Sequence, residues 1–150
     1  MGASTSINND ATNNIYISYD ASEKSNHYLR VLKDELQKMN KNILHSEVTR
    51  ESLTHLSGKE ISFHIEKILN HTGYFILCIS EKTIRSFHQA IEINNALDSK
   101  KEVLYLIMDK SLNPSTSFYV KSLVKKGKWF MFYDDEHLLD CLSYLLDLQM

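Results

Sequence analysis

Four glycines and one proline in 150 residues leave this chain few places to turn sharply, so its elements should be long and joined by polar turns. Neither a G-x-G-x-x-G nor a Walker pattern occurs, which excludes the usual dinucleotide dehydrogenase and NTPase signatures. No apolar run approaches the roughly 20 residues a membrane helix needs. The first 14 residues are small, polar and Asn-rich, unlike a signal peptide. Seven histidines form no H-x-x-x-H pair and the two cysteines form no C-x-x-C, so metal binding has no motif behind it. Cys78 and Cys141 therefore read as small buried hydrophobes in a reducing, cytoplasmic compartment. Seventeen basic against 19 acidic residues give a net charge of -2, without the basic excess of a nucleic-acid surface.

What is present is an alternation of two periods. Asn14 to Tyr19 reads as a strand, and Ser22 to Met39 as an amphipathic helix on Leu29, Leu32, Leu36 and Met39. A short strand, Asn42 to His45, precedes a polar loop from Glu47 to Gly58, and a helix carries Ile61, Ile65, Ile68 and Leu69. Tyr74 to Ile79 is nearly all apolar, as a central parallel strand buried on both faces would be. A helix containing Glu92 follows, then a strand from Val103 to Met108, a short helix from Phe118 to Val124, a strand from Trp129 to Tyr133, and a last helix on Leu138, Leu142, Leu145 and Leu146. Such alternation specifies an α/β fold with a five-stranded parallel sheet between helices, over residues 14–150 behind a disordered leader, 1–13. The aromatic run at Trp129 reads as core.

Glu92 stands out because a helix beginning just after the central strand brings a carboxylate to the carboxyl edge of the sheet, where open α/β sheets bind ligands. On that helix Ile84, Phe87 and Ile91 read as the buried stripe. His88, Glu92, Asn95 and Ser99 form a separate polar stripe, on which His88 can orient Glu92. Tyr19 and Asp20, ending the first strand, would face the same crevice, or else pack the strand end and cap the next helix.

Taken in order, Ile15-Tyr16-Ile17-Ser18-Tyr19, Gly58 before a helix, Thr72 before the third strand, and Ser86 with Glu92 after it resemble the boxes of the Toll/interleukin-1 receptor (TIR) domain family. The family's Trp and Cys in the last box are His88 and Gln89 here, and the acidic residue that often follows its second strand is Ser46, with Glu47 beside it. The resemblance implies a flavodoxin-like three-layer sandwich. It further implies self-association with other TIR domains through the Glu47 to Gly58 loop, and, as in the enzymatic members, cleavage of NAD+ as substrate. Glu92 would then be the catalytic carboxylate, and Tyr19, Asp20, Ser86 and His88 would line the binding pocket, with no further cofactor. The other reading is an innate-immune-type TIR adaptor that signals by association alone. A receiver domain is excluded, because Ser80 stands where the phospho-acceptor Asp would be.

Met1-Gly2-Ala3-Ser4-Thr5-Ser6 fits the N-myristoylation pattern with Gly2 as acceptor, against a plain polar leader as the bland reading. Lys121, Lys125, Lys126 and Lys128 are a solvated face, or the second signal for an anionic membrane if Gly2 is acylated.

Overall fold

Every residue of Tyr74–Ile79 (β3) is buried, and the sheet is built around this strand. The computed structural model describes residues 14–39, 41–46, 57–125 and 127–148. Asn14–Ser18 (β1) pairs on one side of β3, and Asn42–His45 (β2) lies outside β1; Glu102–Ile107 (β4) and then Lys128–Met131 (β5) extend the other side. The order β2-β1-β3-β4-β5 is parallel throughout, as expected of the flavodoxin-like arrangement.

Alternation along β1 divides the core between two layers. Ile15 and Ile17 pack under His27–Lys38 (α1) and Asp135–Asp147 (α5), with Leu29, Leu32, Leu36, Phe132, Leu138 and Leu145. Tyr16 turns the other way, toward Gly58–Leu69 (α2), Phe87–Asp98 (α3) and Phe118–Leu123 (α4), with Ile65, Phe75, Leu77, Ile93 and Val120. The helix starts use side-chain caps: Asn26, Ser57, Ser86, Ser117 and Asp134 each accept a backbone N–H of the first turn, and Ser57 with Glu60 completes a capping box. The first helix is shorter than its periodicity suggests, because a separate one-turn 3-10 helix, Ala21–Glu23, precedes it. Among the described residues no helix is long and apolar enough to cross a membrane.

Three sequence expectations need correction. Trp129 is not core: β5 is an edge strand beginning at Lys128, and the indole is 37% exposed, while the buried aromatic is Phe132, just beyond the strand. Next, the lysines do not form one face. Lys121 and Lys125 are exposed on the α4 side, whereas Lys128 crosses to the α5 layer and sits 5.0 Å from the Phe130 ring centroid and 5.4 Å from that of Tyr144; Lys126 lies outside the described residues. Finally, Ile84 and Phe87 are 57% and 65% exposed, Ile91 alone of that stripe packs against the core, and the face of α3 that turns inward is Gln89, Glu92, Ile93 and Ala96. Periodicity shows that a helix has two stripes; which one is buried here depends on partners for the polar groups, described below. The leader, residues 1–13, and residues 47–56 of the polar loop lie outside the described residues.

Candidate functional site

β1 and β2 end side by side. Ile17 is in register with His45, so Ser18 and Ser46 follow at the same level, on the carboxyl edge of the sheet. Tyr16, two residues before Ser18, points to the same layer. The Ser86 cap starts α3 against this edge, its Oγ accepting Gln89 N–H at 3.1 Å, and the second turn of the helix brings in Glu92.

Glu92 is 1% exposed. Its Oε1 accepts the hydroxyls of Ser18 and Ser46, both at 2.7 Å, and its Oε2 accepts the Tyr16 hydroxyl. His88, one turn earlier on α3, brings Nε2 to 3.4 Å from Oε2. Burying a carboxylate costs several kcal/mol unless hydrogen bonds replace its water (roughly, on transfer scales). Here hydroxyls from two strands supply that replacement, which is why Glu92 can face inward beside Ile93 and Ala96. The arrangement fixes an acid in position and direction, with an imidazole at its rim.

The predicted pocket residues divide. His88 joins Glu92. Ser86 acts as the cap of α3 and is half-buried beside it. Asp20 caps the 3-10 turn, its Oδ2 accepting Ser22 N–H at 3.0 Å and Ser22 Oγ–H at 2.6 Å. Tyr19 reaches the site only through its backbone, whose N–H donates to Ser46 Oγ at 2.9 Å. Because side chains alternate along a strand and Ser18 faces Glu92, the Tyr19 ring must take the opposite layer, where it is fully buried.

Sequence reasoning passed over Tyr16, Ser18 and Ser46. Their signal was a hydroxyl ending each of two adjacent strands. It also passed over the role of Gln89, which is fully buried and donates from Nε2 to the Cys78 carbonyl at 2.7 Å. Cys78 lies one residue beyond Ser18↔Leu77, the last β1–β3 pair. In this strand order β1 and β3 part at the switch point, the usual ligand crevice, and the Gln89 amide occupies it. The polar side chains around Glu92 gather instead over β1 and β2.

A cavity of about 670 Å³ opens at the opposite, amino edge, lined in part by Gly73, Lys100, Lys101 and Gly127. Glu102, Tyr105 and Lys128 also line it. Lys101 is committed to the carboxyl end of α2, donating to the carbonyls of Leu69, Asn70 and Thr72 at 3.0, 3.2 and 2.6 Å. Among the described residues no group of three or more His, Cys, Asp or Glu could hold a metal ion.

A family model for the TIR-like domain of the Thoeris protein ThsB matches residues 16–113, from β1 to just past β4. The matched stretch contains Tyr16, Ser18, Ser46, His88 and Glu92. No curated protein matches the chain.

Proposed function

The chain belongs to the family of TIR-like domains of Thoeris ThsB proteins, and from that premise we propose that it cleaves NAD+, with Glu92 as the catalytic carboxylate. The bond between nicotinamide nitrogen and ribose C1′ breaks, and its electron pair leaves with the now neutral nicotinamide. Positive charge develops on the ribose ring, and a carboxylate beside the sugar stabilises it, as in glycoside hydrolysis. Water adding at C1′ and losing a proton gives ADP-ribose; attack by a nucleophile from within the same molecule gives a cyclic ADP-ribose instead. Ser18, Ser46 and Tyr16 keep the carboxylate aimed, and His88 borders it on the side from which the sugar approaches. The chain acts in association with other TIR-like domains, which supply a second wall to the site.

The observation that carries this reading is the burial of Glu92 at the carboxyl edge under three hydroxyls. The same burial favours a second reading, in which Glu92 is a structural clamp joining α3 to β1 and β2 in a non-catalytic TIR adaptor. Nicotinamide release separates them. Wild-type protein, assayed over a range of concentrations, should release nicotinamide at a rate that climbs faster than linearly, and Glu92→Gln should release none while keeping its circular dichroism. Equal rates in the two proteins would leave Glu92 as the clamp.

A further inference from the structure

Behind the Glu92 site, on the opposite layer of the same two strand ends, lies a second group of polar side chains. The Tyr19 hydroxyl accepts a hydrogen bond from Lys33 Nζ at 3.0 Å and lies 3.1 Å from His45 Nδ1. Lys33 Nζ is 4.9 Å from the centroid of the Tyr19 ring, and the His45 ring stacks on that ring at 6.0 Å. Tyr19 is fully buried, while Lys33 and His45 are half-buried.

The two groups are adjacent in sequence on both strands. Ser18 and Ser46 hold the carboxylate on one layer; of their neighbours on the other, Tyr19 holds the ammonium and His45 contacts Tyr19. Ser46 joins them, since its Oγ accepts Tyr19 N–H and its hydroxyl donates to Glu92. One sheet edge thus carries a negative pole and a positive pole on its two sides, both fixed by buried partners. A dinucleotide such as NAD+ has the matching polarity, cationic at the nicotinamide ring and anionic at the diphosphate.

We infer that Lys33, steadied by Tyr19 and flanked by His45, is the diphosphate-binding group for a dinucleotide whose nicotinamide ribose lies at Glu92. This rests on the reading of Glu92 given above. An ammonium is a strong point-charge donor to phosphate oxygens, and one fixed against a buried ring loses less freedom on binding than one on a mobile arm. The half-buried His45 ring adds a polar group beside it. If the cluster only closed the edge of the α1 core, removing the charge would change stability and leave ligand affinity alone.

ADP-ribose binding to the full chain, measured by calorimetry, tests this independently of turnover. Lys33→Gln should weaken ADP-ribose about tenfold or more, the scale of one lost hydrogen bond to a charged group, and should flatten the salt dependence. Lys33→Arg should keep most of the affinity, and Lys121→Gln, an exposed lysine on α4, should match wild type. His45→Gln, which keeps the Lys33–Tyr19 contact, serves as a second variant and should weaken binding without lowering the melting temperature. Wild-type affinity in Lys33→Gln, equal weakening in Lys121→Gln, or no ADP-ribose binding by the wild type would each overturn the inference. Lys33-dependent binding alongside wild-type cleavage by Glu92→Gln would instead remove the catalytic reading and keep this one.

Discussion

Ser46 donates its hydroxyl proton to Glu92 Oε1 at 2.7 Å, while its oxygen accepts the Tyr19 backbone N–H at 2.9 Å. One serine just beyond β2 therefore satisfies both the chain leaving β1 and a carboxylate on α3. Ser18 also donates to Oε1 at 2.7 Å, so the two serines share the carboxylate contact while Ser46 adds the backbone one.

Ser46→Ala should destabilise the protein more than Ser18→Ala. Removing Ser46 takes a donor from a buried carboxylate, at about 1.5–3 kcal/mol, and also strips a partner from a buried N–H, at about 1–3 kcal/mol. In a chain of this size each kcal/mol moves the melting temperature by about 2–4 °C, so thermal denaturation resolves the difference. Equal melting temperatures would show that the Tyr19 N–H finds another acceptor.

Gln89→Leu should change stability little. The substitution takes the shorter of two side-chain donors from the Cys78 carbonyl, leaving the Thr83 hydroxyl at 3.5 Å, but it also removes Gln89 Oε1, a buried acceptor with no hydrogen-bond partner. These effects oppose one another and should leave a net change within about 1 kcal/mol by chemical denaturation. Nicotinamide release should nonetheless fall, because the first turn of α3 loses its tie to β3 and Glu92 its aim. A variant with unchanged turnover would mean that the three hydroxyls fix Glu92 without help.

Gly127→Ala should be destabilising despite the small size of the change. A Cβ there would stand 2.5 Å from Tyr105 Cε2, so the largely buried ring, 3% exposed, would have to shift from its packing. Overpacking of this kind costs about 1–3 kcal/mol, read as a lower melting temperature. An unaltered melting temperature would show that the turn before β5 shifts freely.

Alkaline pH should unfold the protein progressively. Burial pushes the Cys141 thiol from 9.0 up to about 12, and burial likewise raises Cys78 and Tyr74. Between those limits the unfolded chain releases protons that the folded chain keeps, so stability is complete below about pH 9 and is lost as pH climbs toward 12. Lys101, lowered by burial, works in the opposite sense but is a single, partly exposed group. A melting temperature that held constant from pH 9 to 12 would contradict the burial of these groups.

The five strands, their parallel order and the helix layers were legible because each rests on a period: continuous apolar runs at β1, β3 and β4, and three-four spacing in α1 and α5. Glu92 was legible as a position, by its distance after β3. Its burial was not. An amphipathic helix is ordinarily read with its polar stripe outward, and nothing local in Phe87 to Asp98 announces that Tyr16, Ser18 and Ser46 wait on the sheet to receive it. The orientation of Tyr19 follows from that of Ser18 by alternation, but only once Ser18 is known to face α3. Trp129 was misjudged because composition does not reveal that β5 has a neighbour on one side only.

The burial of both cysteines has a practical side. The sequence contains no others, and Cys78 and Cys141 sit free and inaccessible on the α1/α5 side of the sheet. A cysteine introduced at an exposed position such as Ser143 or Asn94 would be the sole thiol open to a maleimide dye in the native protein. Donor- and acceptor-labelled batches of the same variant could then be mixed, and energy transfer between copies followed in real time, on a protein whose interior has not been altered.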